Sequence, residues 1–350
     1  MAEKEKTKRI RVTGVLLNTA AFVIIVAGIR EANAIFVQFF LALFISVLLA
    51  PPFFWLKDRG AHTGIALFAV LLIGLSGTIL LATILGTSLD GLLNALPGYE
   101  SALDSQFGLL LNWLRTIGAD IPQDPFLKLF DISQIMNLAR GTVRGVAAAL
   151  NNILFITLMV VFILIEASGF PDKLRAISGD PEKSLPNMMK AIDNVKRYMA
   201  IKTLISLGTG IGIAIALTLV GVDFPILWGL LAFLLNYIPN IGSLIAAIPA
   251  VLLALVQFGW PSAILTIGIY LGVNFVFANV MEPRIMGQGL GLSTLVVFLS
   301  LLFWGWVLGP VGMLLSVPLT MTAKIILDSN ESTRNIAILL SSDPKSAPTQ

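Results

Sequence analysis

The chain is 350 residues long, 57% hydrophobic and only 12% charged, with a formal net charge of +3, and its mean hydropathy is +0.90. Soluble domains carry about a quarter charged residues, so this balance excludes an ordinary water-soluble domain and places the chain in a membrane. It has no cysteine and a single histidine, His62; disulfides, thiolate chemistry and Cys-ligated metals are excluded, and no histidine cluster is available for a metal.

Uncharged runs of 18 residues or more read as spanning helices, because barrel strands would give segments of about ten residues with alternating polarity. The first such run, Val12 to Ile29, follows five basic residues. It is too long for a signal-peptide core, and Arg30-Glu31 separates it from the small-residue triplet Ala32-Asn33-Ala34, so it is expected to stay as a span. Ala32 to Leu56 and Ala61 to Leu89 each provide one further crossing. His62 lies beside Lys57-Asp58-Arg59-Gly60 and reads as an interfacial residue.

Residues 90–144 carry six acidic and four basic residues, with turn signals at Leu96-Pro97-Gly98 and around Pro122 and Pro125. They predict a small polar region outside the bilayer. Gly145 to Ile165 supplies a fourth span. Residues 166–202 carry seven basic and five acidic residues, and within them Met188, Ile192, Val195 and Met199 recur at helical spacing. That predicts an amphipathic helix lying along the membrane or packing on the bundle, or a solvated connector. Lysine and arginine concentrate in residues 1–11, 57–59 and 166–202, so these segments and both termini are expected in the cytoplasm. The basic residues are dispersed in this service and do not form a nucleic-acid footprint.

The transport core is expected at 203–327, followed by a cytoplasmic tail, 328–350. Thr203 to Val222 is a span with Gly208, Gly210, Gly212, Ala214 and Ala216 at spacings that permit close helix packing. From Phe224 to Met281 there are 58 residues without a charge, then Glu282-Pro283-Arg284, then 39 more uncharged residues. The first run is broken by Asn236, Pro239, Asn240 and Gly242. Two crossings need about 40 residues before any turn is counted. The limbs Pro225–Leu235 and Ser243–Gln257 therefore predict a broken, re-entrant helical hairpin, with tilted full spans as the alternative. The same grammar recurs at Ser293–Val307 and Val311–Ile326, interrupted at Leu308-Gly309-Pro310 and followed by Gly312. The fold class expected is all-α: a polytopic helical membrane protein with two re-entrant hairpins of opposite orientation around a single span, Ile264 to Val280.

Polar groups inside this core are few, and each is a candidate for the substrate pathway: Asn236, Pro239, Asn240 and Gly242 at the first break, Asn274 and Asn279 on the intervening span, and Gly309, Pro310 and Gly312 at the second. Glu282 and Arg284 read as a structural ion pair or as a contact for a ligand or coupling cation. No catalytic triad, phosphate loop or dinucleotide fingerprint is present, so neither an enzyme nor a cofactor is expected.

The stretches LLAFLLNYIPNIGSLIAAIP (230–249) and MEPRIMGQGLGLSTLVVFLSLLFWGWVLGPVGMLLSVPL (281–319) resemble the signature regions of the autoinducer-2 exporter family. The likeness runs weakly along most of the chain and is poorest in 90–144. Gln288 departs from it, standing where a basic residue is usual. The resemblance implies a bacterial inner-membrane homo-oligomer, a pentamer, that exports autoinducer-2, a small polar furanone-related signal. Sodium or lithium/proton antiport is described for other members of that family, and a non-transporting scaffold or channel subunit is the third reading.

Overall fold

In the computed structural model, residues 2–116, 152–177, 181–239, 241–286, 291–328 and 333–342 are described. All regular structure among them is helical: α1 (Ala2–Glu31), α2 (Asn33–Asp58), α3 (Thr63–Thr116), α4 (Ile153–Ile177), α5 (Pro181–Val220), α6 (Pro225–Leu235), α7 (Gly242–Phe258), α8 (Trp260–Asn274), a π-helical segment (Phe275–Met281), α9 (Glu282–Met286), α10 (Thr294–Asp328) and α11 (Arg334–Leu339). Among the described residues, six stretches are long and apolar enough to cross a bilayer: Asn33–Asp58, Thr63–Leu92, Ile153–Phe170, Ile192–Val220, Trp260–Met286 and Thr294–Asp328. Their outward faces are large and apolar, as with Ile35, Leu154, Leu219 and Leu271, while the buried faces include small and hydroxylic residues such as Ala42, Ser46, Ser206 and Thr209. A soluble protein shows the opposite arrangement. Residues 117–144, 287–290 and the end of the tail lie outside the described residues.

Two expected boundaries are corrected. The helix α3 runs on through Leu96-Pro97-Gly98, where a turn was expected; a proline costs an interior helix one backbone bond but does not by itself end it. The amphipathic segment before Thr203 and the span after it are one continuous helix, α5. Its Val195, Tyr198 and Met199 pack on Val317 and Met321 of α10 and on Phe44 of α2, so this face lies against the bundle. His62 is exposed and accepts a hydrogen bond from the Gly64 amide at the start of α3, as an interfacial residue should.

The small residues of α5 work on two faces. A side chain at Gly210 would meet the Gly229 carbonyl oxygen at 2.6 Å, and one at Gly229 would meet Ala214 at 2.7 Å, so α5 and α6 cross with their backbones almost touching. On the other face, Gly208 and Gly212 make room for Phe277 and Val273. The motif serves packing within the subunit.

Both breaks expected from the sequence are tight reversals. At the first, α6 and α7 are joined through residues 236–241, and the Gly242 α-carbon lies so close to the Leu235 carbonyl that an added methyl would sit 1.8 Å from its oxygen. At the second, Gly309 takes φ 67, ψ −150 inside α10, a conformation essentially restricted to glycine. Trp304 Nε1 donates to Thr320 Oγ1 at 3.0 Å. Sixteen residues of straight helix would separate these groups by about 24 Å, so the chain folds back on itself at Gly309. Gly312 then presses on the Trp304 carbonyl, at 2.0 Å for an added methyl, just as Gly242 presses on that of Leu235.

Candidate functional site

The two reversals meet different parts of the bundle. Asn236 Nδ2 donates to Ser206 Oγ at 3.0 Å and Tyr237 Oη donates to Thr203 Oγ1 at 2.7 Å. Ser206 is the middle residue of the apolar stretch Ile192–Val220, so the first hairpin ends halfway along α5. Phe44, close to the midpoint of α2, stacks edge-on against Tyr237 at 5.5 Å. The second reversal has other neighbours. Leu308 packs with Val26, Ile29, Phe36 and Val37, and the Arg30 guanidinium lies 4.6 Å above the Trp306 ring, which places the Gly309 tip beside the α1–α2 turn.

Above the tip of the first hairpin is a cavity of about 260 Å³. The hairpin contributes Asn236, Ile238, Pro239 and Ser243; the opposite wall is Asn274, Ala278 and Asn279; Lys202 and Glu282 complete it. Five of the residues singled out from sequence, Asn236, Pro239, Asn274, Asn279 and Glu282, therefore meet in one place. Gly242 belongs to the same hairpin but serves its backbone and does not line the space. Gly309, Pro310 and Gly312 are not among its walls, and the candidate Asn240 lies outside the described residues.

Glu282 is paired, but not with Arg284. Lys202 Nζ donates to its two carboxylate oxygens at 2.9 and 3.2 Å, and the side chains of Lys202 and Glu282 are 7% and 18% exposed. Arg284 is exposed on the far side of α9. Its spacing from Glu282 explains the difference: residues two apart on a helix do not face each other, whereas Lys202 comes across from α5. Lys202 was missed because it closes a basic amphipathic segment. A finer reading of α5 would have found it, since Lys202, Ser206 and Thr209, at i, i+4 and i+7, form a polar line that is 6%, 0% and 1% exposed.

The wall opposite the hairpin is the π-helical stretch Phe275–Met281. Such wider turns are rare and often sit at functional sites. Here the segment carries Ala278 and Asn279 into the cavity and delivers Glu282 at its end. Nothing in the residue pattern announces it. The resulting site offers three carboxamides, one hydroxyl and one internally neutralised ion pair, which suits a small, polar, hydrogen-bonding guest. Among the described residues no group of three metal-ligating side chains forms.

At the wide end of the first hairpin a second cluster holds its two ends to α3. Tyr99 Oη donates to Asp223 Oδ2 at 2.7 Å, Gln257 Nε2 donates to Tyr99 Oη at 3.4 Å, and the Asp223 amide donates to Gln257 Oε1 at 3.1 Å. Burial, then the adjacent Asp223 carboxylate, push the Tyr99 phenol up to about 12. Beside it Phe224 adopts a left-handed backbone, φ 57, and its ring lies where a side chain on Gly91 would stand.

Comparison with known proteins agrees with this architecture. The chain is 41% identical over 327 residues to the AI-2 transport protein TqsA of Escherichia coli (strain K12), covering 93% of this chain and 95% of that one. It is 38% identical to YhhT of the same organism over 93% of both chains, and 25% identical to YrrI of Bacillus subtilis (strain 168) over 84% and 86%; both are named for transport, with no substrate in the name. The profile of the AI-2E family transporters matches residues 19–331, and the chain belongs to that family.

Proposed function

We propose that this transporter is a secondary exporter of autoinducer-2 or a close chemical relative, and that the cavity at the tip of the first hairpin receives it. The observation that carries this reading is the lining: three amides and a hydroxyl around about 260 Å³, with the one charged pair already neutralised by its own partner. A small oxygen-rich molecule can exchange hydrogen bonds there without leaving a buried charge unpaired. The name of TqsA, similar over nearly the whole chain, points to the same substrate.

In this reading the protein is a homo-oligomer, as a pentamer, in the bacterial inner membrane. Both termini are cytoplasmic, because the lysine-rich segments then all fall inside. The first hairpin re-enters from the outer face and stops at mid-depth; irregular backbone at that level must be buried in protein or face a wet cavity, and the cavity beside Asn236, Ile238 and Pro239 supports this. The second rises from the cytoplasmic side. Residues 90–144 form the extracytoplasmic region.

A second reading, cation/proton antiport, is favoured by Glu282, the sole carboxylate among the walls of the cavity. Purified protein in vesicles separates the two. Labelled autoinducer-2 should cross in a protein-dependent way, without a sodium-driven pH change. A sodium-driven pH change with no flux of the signal overturns the exporter and establishes the antiporter.

A further inference from the structure

Helix α8 is polar on its inside. Ser262, Thr266 and Tyr270 are 9%, 0% and 3% exposed, and Asn274 follows four residues later. At these four positions Ser262 Oγ, Thr266 Oγ1, Tyr270 Oη and Asn274 Oδ1 are all buried and without a hydrogen-bond partner. The outward face of the same helix is Ile264, Leu265, Ile267 and Leu271, 44 to 65% exposed. Buried polar atoms are almost always bonded, and each orphan costs on the order of 1–3 kcal/mol. One orphan could be an accident of packing. Four at a four-residue repeat, on one face and ending at Asn274 in the cavity wall, form a line with a direction.

The helix that packs beside it is apolar on its buried face. Across the one-residue turn at Gly259, α7 runs back along α8, and it presents Ala246, Ala250 and Ala254, each fully buried, at the same repeat. None of these methyl groups can satisfy a hydroxyl of α8.

We infer that the inner face of α8, from Ser262 to Asn274, is the lane along which a neutral, hydrogen-bonding solute and its accompanying water pass between the Lys202–Glu282 cavity and the end of the bundle at Gly259. The inference rests on the cavity being the solute site. It also narrows the chemistry: the lane offers hydroxyl and amide groups and no formal charge, so the species that moves through it is uncharged and rich in donors and acceptors. Each orphan exchanges its missing partner for the passing molecule, and the regular spacing of about 6 Å keeps the next partner within reach.

The absence of cysteine makes the test clean. Ser262→Cys, Thr266→Cys and Tyr270→Cys, in the full-length protein in vesicles, are exposed to a small uncharged water-soluble thiosulfonate, with Ile264→Cys and Leu271→Cys as references on the apolar face. Thiolates form in water and are suppressed in apolar surroundings, so the three lane positions should react about tenfold faster than the references or more. Equal, slow reaction at all five positions overturns the lane. That result leaves the cavity untouched, since the cavity is judged by flux of labelled autoinducer-2 through the natural protein in vesicles. Should the cysteine variants fail to assemble, radiolytic hydroxyl-radical footprinting of the unmodified protein gives the same decision. Radicals arise from adjacent water, so Tyr270 should be oxidised about tenfold faster than the comparably buried Tyr198; equal rates sink the proposal.

Discussion

Lys202 and Glu282, eighty residues apart in sequence, form a two-oxygen ion pair at 2.9 and 3.2 Å that ties the middle of α5 to the end of the π-helical segment. The pair lines the cavity and is mostly buried. Removing one partner of such a pair strands the other charge, at a cost of roughly 3–5 kcal/mol. Glu282→Gln and Lys202→Gln should each lower the yield of assembled protein severalfold, whereas Arg284→Gln leaves it unchanged. The exchange Lys202→Glu with Glu282→Lys should restore much of the loss. Detergent size-exclusion profiles check this, and a defect in Arg284→Gln equal to that of Glu282→Gln would refute the pairing.

The glycines at the two reversals should be equally intolerant, for one shared reason. Gly242→Ala and Gly312→Ala each drive a methyl into a carbonyl oxygen, at 1.8 and 2.0 Å, so both should abolish assembly. Gly268→Ala meets nothing within 4 Å and gains helix propensity of up to about 1 kcal/mol. It should be neutral or slightly stabilising. Thermal aggregation midpoints of the three variants decide the matter.

The crossing of α5 and α6 gives a graded test. Gly210→Ala must push aside the Gly229 carbonyl and Phe233, at 2.6 and 2.8 Å, whereas Gly212→Ala meets only Val273 at 3.3 Å and Phe277 at 3.6 Å. Gly210→Ala should therefore destabilise clearly more than Gly212→Ala. A reversed order in thermal midpoints would contradict the packing described.

Tyr99 supplies the pH dependence. Its folded value is pushed up to about 12 from 10.0, so the folded state holds the phenolic proton more tightly than the unfolded chain does. The stabilisation is then fully present below pH 10 and is lost as pH rises toward about 12. The difference in thermal midpoint between the natural protein and Tyr99→Phe should be constant across the neutral range and shrink only in that alkaline window. A difference that fades between neutrality and pH 9 would show that another group controls the contact.

Much of this site was legible because membrane sequences are sparse. Where charges are nearly absent, each Asn, Glu or Pro stands out, and Asn236, Pro239, Asn274, Asn279 and Glu282 could be singled out before their meeting was known. The two reversals were legible from Gly and Pro, whose backbone consequences are local. Partnership was not. Lys202 looked like one more basic residue of a cytoplasmic segment, because its burial depends on α5 continuing unbroken and on the π-helical turn that aims Glu282 at it. The different surroundings of the two reversals were hidden for a similar reason: length reports how far a limb can reach, while partners such as Ser206 and Arg30 decide what it meets. The lane on α8 was hidden in plain residues, since serine, threonine and tyrosine at a four-residue repeat carry no charge to draw notice.

The long helix α3 passes the end of its apolar stretch at Leu92 and continues to Thr116 without a break. Gly91 and Tyr99, where it grips Phe224 and Asp223, lie close to that exit. Seventeen further residues extend beyond Tyr99, about 25 Å of stiff rod. In mechanical terms this is a lever with its short arm against the first hairpin. A sideways load at the far end of the helix arrives at Asp223 and Phe224 enlarged, and a displacement there arrives reduced. Strain imposed on the polar end of α3 is thereby converted into small, forceful motion at the two ends of the element that carries Asn236.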